Sequence, residues 1–129
     1  LLLARFGPAL FPAPRAPAGV CTRLRAYFRG DLEALDDVEV DLAGTPFQEK
    51  VWAELRRIRP GSTRSYADVA SAVGEPKALR AVGMAAARNP AVLVVPCHRV
   101  VASDGSLHGF SGGIERKRWL LVHEGALLA

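Results

Sequence analysis

Methionine, cysteine and aromatic residues are scarce in this sequence. Of 129 residues, one is methionine, two are cysteine and 7% are aromatic. The cysteines, Cys21 and Cys97, stand far apart and neither belongs to a C-x-x-C pair. That argues against a disulfide scaffold or a structural zinc site, so no metal is expected, and it fits a reducing compartment. No apolar run is long enough to span a bilayer, and no membrane role is expected. The opening LLLARFGPAL is apolar but short and broken by Arg5, and does not read as a signal peptide. The only methionine, Met84, is internal, so a segment upstream of Leu1 is expected.

What is present points to one packed domain. Half of the residues are hydrophobic, which excludes general disorder. The net charge of +4 and pI of about 9.6 mildly favour a polyanion such as nucleic acid. Residues 1–20 hold four of the nine prolines, Pro8, Pro12, Pro14 and Pro17, and read as an extended, irregular stretch. CTRLRAYFR, 21–29, predicts a short helix ending at Gly30. VEVDL, 38–42, alternates as a strand or a linker would.

The signals sharpen from residue 44. In TPFQEKVWAELRRI, Thr45 is an N-cap, Pro46 takes the first helical position and Gln48 completes a capping box. Phe47, Val51, Leu55 and Ile58 recur at helical spacing, and the helix should stop before Pro60. SYADVASAVG predicts a helix from Ser65, with Asp68 three residues on, to Gly74. KALRAVGMAAAR predicts another, up to Asn89-Pro90. VLVV, 92–95, reads as a short buried strand. RVVASDGSLHGF reads as a hairpin around Asp104-Gly105, and GIERKRWLLVHE as a last helix.

Two helices joined by a short Gly-containing turn have the pattern of a helix-turn-helix, and also of the commoner ordinary helical hairpin. Ala70 is small where the helices approach. Ala78, Val82, Ala85 and Ala86 share one face of the second helix, and Lys77, Arg80, Met84 and Ala87 fall roughly opposite, which displays Arg80 outward.

VPCHRVV, 95–101, places a thiol beside an imidazole. Cysteine is commonly a small buried hydrophobe, and VLVVPC invites that reading. Yet His98 follows directly, Asn89 closes the preceding helix and Glu124 lies in the last one; Cys, His and carboxylate are the ingredients of thiolate activation. Neighbouring side chains in an extended chain point to opposite faces, so the pair cannot cooperate by adjacency alone. Pro96 biases Val95 toward an extended conformation and helps set the turn.

GTPFQEKVW, SYADVA, RAVGMAAARNP, PCHRVV, SDGSLHGFSGG and KRWLLVHE, in that order, resemble the C-terminal, DNA-binding and active-site domain of O6-alkylguanine-DNA alkyltransferases over residues 44–125. The resemblance implies a mainly α (α+β) fold: a winged-helix-like helix-turn-helix domain at 44–129 with a short β-hairpin, preceded by a truncated, Pro-rich N-terminal region at 1–43. It implies irreversible transfer of an alkyl group from guanine O6 in double-stranded DNA to Cys97, once per molecule and without cofactor, with O4-alkylthymine as a further substrate. A water would bridge Cys97 to His98, and Glu124 would orient the imidazole, as the acid does in a serine triad. Such a relay implies a thiol more readily ionised than a free one, whose pKa is about 8.5.

The same resemblance gives Asn89 hydrogen bonds to backbone at the active-site turn, and gives Tyr66 proton donation toward guanine N3. Arg80 would fill the gap left by a flipped nucleotide, from a helix entering the minor groove. Lys77, Ala81 and Ser65 would join it against DNA. Val95, Val100 and Ser111 would line the guanine pocket. A monomer is implied, cytoplasmic and nucleoid-associated in a bacterium or nuclear in a eukaryote.

The sequence departs from the family at Leu79, Met84, Phe110 and His108, where alanine, a small residue, tyrosine and a small residue are usual. The first two put docking depth in question, and His108 is read as a surface histidine. Two further readings remain: a non-enzymatic alkyltransferase-like lesion binder, whose known forms lack the cysteine, and an unrelated cysteine hydrolase, for which no oxyanion hole is evident.

Overall fold

Two short polar side chains start the helices that build the domain. Thr45 Oγ1 accepts from the Gln48 backbone N–H while Gln48 Oε1 accepts from the Thr45 N–H, with Pro46 at the first helical position. Ser65 and Asp68 repeat the exchange twenty residues later. In this computed structural model, which describes residues 19–40, 42–107 and 113–128, the elements are α1 (Val20–Phe28), α2 (Pro46–Leu55), β1 (Arg64–Ser65), α3 (Tyr66–Ala72), α4 (Leu79–Ala87), a 3-10 turn (Cys97–Arg99), β2 (Val100–Val101) and α5 (Ile114–His123). No helix among the described residues is long and apolar enough to cross a membrane.

The helices pack around one core. Val51, Leu55 and Ile58 are buried as their spacing predicts, and Phe47 is partly so. α2, α3 and α4 meet over Val69, Ala70, Val82 and Ala85, and Trp52 Nε1 donates to Ala85 O at 2.8 Å, fastening α2 to α4. Ala70 is fully buried, which lets α3 and α4 approach closely. α3 ends on Gly74 at φ 82, where Gly74 N–H donates to Ser71 O and Glu75 N–H to Ala70 O. This Schellman closure needs a residue free to adopt the left-handed conformation. The helix-turn-helix geometry follows.

α1 shares that core through Val20, Leu24 and Tyr27, and the segment after it is held on α2. Arg56 Nη2 donates to Asp36 O and Leu35 O, and Arg59 pairs with Asp36. VEVDL is linker in its described residues: Val38 is buried, but no strand forms.

Two local expectations change, and a strand pairing is added to a third. VLVV is a tight buried turn: Leu93 sits at φ 78, Val92 and Val95 bridge each other, and Val95 N–H donates to Ala91 O. Burial satisfied its apolar side chains without a sheet partner, and Asn89 supplied the missing polar contacts. α4 starts at Leu79, so Lys77 lies in the preceding turn, which Ala78 N–H closes by donating to Glu75 O. Finally, Val100–Val101 pairs with Arg64–Ser65 in parallel, Arg64 opposite Val100 and Ser65 opposite Val101. The chain does reverse at Asp104-Gly105, with Ala102 N–H donating to Ser106 O; residues 108–112 lie outside the described residues.

Candidate active site

The turn that carries the thiol is built by Asn89. Its side-chain amide donates to Val95 O at 2.6 Å and its Oδ1 accepts from Ala91 N–H at 2.8 Å, so one buried side chain spans the loop between α4 and the 3-10 turn. Pro96 follows at φ −80, ψ 67, and Cys97 N–H donates back to Val95 O at 2.8 Å. These are the features of an inverse γ-turn, which the proline ring favours by restricting φ. Cys97 emerges at the start of the 3-10 turn, 7% exposed.

His98 and Arg99 point from the same turn into the protein, toward the end of α5. That helix buries Lys117, Leu120, Leu121 and then Glu124, which follows its last turn. Gly125, at φ 80, closes the helix: Gly125 N–H donates to Val122 O and Ala126 N–H to Leu121 O. The closure holds Glu124 against the 3-10 turn. His98 Nε2 lies 2.9 Å from Glu124 Oε2. Arg99 grips both carboxylate oxygens, Nε to Oε1 at 2.9 Å and Nη2 to Oε2 at 2.8 Å, and donates through Nη1 to Ile58 O. Tyr27 Oη donates to Oε2 at 2.7 Å from α1.

The protonation states follow. Burial alone would raise the Glu124 pKa, but bonds from His98 and Arg99, with their charges, outweigh it and hold the carboxyl well below the usual range. Glu124 is therefore an acceptor only, and His98 Nε2 must carry the hydrogen between them. His98 Nδ1 is then the basic nitrogen, and it has no hydrogen-bond partner among the described residues. Burial lowers the His98 pKa against the pull of Glu124, so the ring is neutral at neutral pH.

Cys97 corrects an expectation. Burial pushes its thiol pKa up, and the opposing effects of the Asn89 side chain and the Lys117 charge are smaller. The resting thiol is harder to ionise than a free one, because the carboxylate acts through the imidazole and desolvation acts on sulfur directly.

Lys117 and Tyr66 flank the thiol. Lys117 is fully buried, and burial lowers its pKa to about 8, while Cys97 works in the opposite direction. Its Nζ lies 6.0 Å from the centre of the Tyr66 ring. Tyr66 opens α3, brought to the thiol by the β1–β2 pairing; burial and then Cys97 raise its pKa.

Adjoining this cluster at Tyr66, an open groove of about 440 Å³ is lined by Tyr66, Ala67, Leu79, Arg80, Gly83, Ala102 and Ser103. Arg80 and Ala81 are exposed on α4, with Leu79 and Met84 about half exposed, and Lys77 is exposed before it. Ser65 spends its hydroxyl capping α3. Val95 and Val100 are wholly buried around the thiol turn. Ser111, His108 and Phe110 lie outside the described residues. The structure thus gathers Cys97, His98, Glu124, Asn89 and Tyr66 at one place, with Arg80 on the adjoining groove.

Sequence reasoning missed Tyr27, Arg99 and Lys117. Lys117 had a signal: 117, 120, 121 and 124 form one helical stripe, so two charged residues sit at core positions of α5. Tyr27 shares the stripe of Val20 and Leu24, which marks it as buried but not as a partner of Glu124.

A family model described as 6-O-methylguanine DNA methyltransferase, DNA binding domain, matches residues 46–126. The chain is 48% identical over 112 residues to the methylated-DNA–protein-cysteine methyltransferase of Salmonella typhimurium, covering 87% of this chain and 66% of that one. It is 51% identical over 113 residues to the Mycobacterium tuberculosis protein of the same name, covering 88% and 68%. The chain therefore spans about two thirds of the length of these relatives. The crystal structure of M. tuberculosis OGT in complex with DNA superposes with a TM-score of 0.76 at 47% identity, over 84% of this chain and 67% of that one. That of S. pombe Atl1 in complex with damaged DNA containing O6-carboxymethylguanine reaches 0.57 at 32%, over 65% and 80%. A helix-turn-helix beside a buried Cys-His-Glu cluster, a family model matching more than half of the chain and relatives at about half identity agree, and the chain belongs to the 6-O-methylguanine DNA methyltransferase family.

Proposed function

We propose that the protein repairs DNA by moving an alkyl group from guanine O6 to Cys97 Sγ, irreversibly and once per molecule. The observation that carries this reading is His98: its Nε2–H donates to Glu124, which leaves Nδ1 as a base on the residue that follows a thiol whose own pKa is raised. A thiol in that state is inert until a base takes its proton, which suits a protein that must not react before a lesion is bound.

The chemistry balances without a cofactor. The thiol proton passes to His98 Nδ1, through a bridging water as in the family. The sulfur forms a bond to the alkyl carbon, and the bond from that carbon to guanine O6 breaks. Guanine leaves with the electron pair, and Tyr66 supplies a proton toward N3, so that a neutral base departs. Glu124 stabilises the imidazolium and Asn89 holds the turn open. Lys117 favours the thiolate by its charge.

The target atom is buried in a duplex, so the nucleotide must be extruded. Arg80, exposed beside the groove, fills the gap, and Ala81, Lys77 and Ser65 lie against the DNA. Backbone at Val95 and Val100 lines the guanine pocket. Leu79 and Met84 add apolar surface that fits a minor groove opened by insertion.

Intact-protein mass spectrometry after incubation with duplex DNA containing O6-methylguanine tests the proposal. Expected is a permanent gain of one methylene mass, mapped to Cys97, with one transfer per protein. Tight lesion binding without mass gain would overturn transfer in favour of a sensor.

A further inference from the structure

The Glu124 carboxylate is completed from outside the segment that the family model matches. Tyr27 belongs to α1, 97 residues away in sequence, and its hydroxyl is 2.7 Å from Oε2, the same oxygen that faces His98 Nε2. The hydroxyl is a donor by necessity, since Glu124 is ionised and burial, with the adjacent carboxylate, raises the Tyr27 pKa. Its position is rigid. Tyr27 is 1% exposed, its ring stands edge-on to His123 at 5.1 Å, and His123 Nε2 donates to the Tyr27 carbonyl at 2.8 Å. Trp119 stacks on His123 at 4.9 Å and Phe28 packs against Trp119, so α1 is clamped to α5 just where Glu124 leaves it.

On the reading proposed above, we infer that Tyr27 is a positioning residue of the alkyl-transfer site: its hydroxyl holds Glu124 Oε2 and limits how strongly that oxygen draws a proton onto His98. Three donors converge on Oε2: Tyr27 from α1, and Arg99 and His98 from the 3-10 turn. The charged and titratable groups facing His98 and Glu124 are these, with Cys97 on the turn and Lys117 on α5. Arg99 neutralises the carboxylate and Tyr27 shares its electron density without adding charge. The consequence has a definite sign. Removing the hydroxyl concentrates the carboxylate charge on the imidazolium, so His98 takes up a proton at higher pH. A protonated His98 cannot accept the thiol proton, and transfer falls at the acid side first.

The test is the single-turnover rate of methyl transfer from O6-methylguanine duplex as a function of pH. It compares the wild-type chain, Tyr27→Phe, and the chain carrying 3-fluorotyrosine at position 27. Tyr27→Phe keeps the ring that packs against His123. Its acid limb should be displaced upward by on the order of half a pH unit, which makes transfer up to about threefold slower on that limb and leaves the plateau rate nearly unchanged. Fluorination makes the hydroxyl a stronger donor without removing it, and should displace the limb downward. A wild-type limb in both chains, with wild-type transfer intact, overturns the inference. Should the wild-type chain not transfer at all, the proposed function fails separately. The 15N resonances of the His98 ring, recorded without DNA, then decide for Tyr27: they move in both substituted chains if the coupling exists, and unchanged resonances reject it.

Discussion

Glu124 and His98 meet at 2.9 Å with both side chains fully buried, and that contact sets the tautomer of the base beside the thiol. An ionised carboxylate cannot donate, so Nε2 must carry the hydrogen and Nδ1 must accept. His98→Ala and Glu124→Gln should each slow transfer by about a hundredfold, and the double variant should be no slower than the worse single one, because the two act as one unit. Single-turnover rates that multiply in the double variant would refute the relay.

Cys97→Ser should abolish transfer and leave affinity for O6-methylguanine duplex within about threefold of wild type, since one buried atom contributes little contact area. Mass spectrometry and a binding titration on the same sample check both halves.

Glu124 also ties pH to stability. Its folded pKa is depressed, so its contribution is fully present above the unfolded value of about 4.3 and is lost as pH falls from there toward the folded pKa. Denaturant midpoints should therefore drop steeply below about pH 4 in the wild type. Glu124→Gln should be less stable at pH 7 by about 3 kcal/mol, since Arg99 loses its charged partner, and should lose less on acidification.

Lys117 has the opposite sign. Its folded pKa is lowered to about 8, so burying the ammonium costs stability in full below that pH, and the cost fades as pH rises toward the unfolded value of about 10.4. Lys117→Met should raise stability at pH 7 by roughly 1–3 kcal/mol and slow transfer, because the thiolate loses a favourable charge. A faster or unchanged rate would exclude a role for this charge at the thiol.

Arg80 separates base flipping from simple phosphate binding. Arg80→Ala should be slowed most on duplex, less on single-stranded DNA, where unstacking costs less, and least on free O6-benzylguanine. Equal ratios on all three substrates would reduce it to a phosphate contact, whose loss lowers the salt slope by about one.

Much of the site was legible because it rests on local rules. The Thr45–Gln48 and Ser65–Asp68 boxes lie within single helical turns, and both formed where the sequence placed them. The core spacing of Val51, Leu55 and Ile58 held for the same reason: a 3.6-residue period is a property of the chain itself. PCHRV marked the thiol and its histidine before any fold was known.

What the sequence by itself determined, then, is which residues carry chemistry and which helices present them. Only the tertiary structure decided their states. Tyr27 reaches Glu124 across 97 residues, Arg99 grips both carboxylate oxygens, and VLVV became a turn because Asn89 and the surrounding core met its needs without a sheet. The thiol pKa moved up, against expectation, because desolvation depends on what the rest of the chain excludes from water around sulfur. Caps and periodicity act over one turn of backbone and can be read along it; burial and long-range pairing are sums over neighbours that only folding brings together.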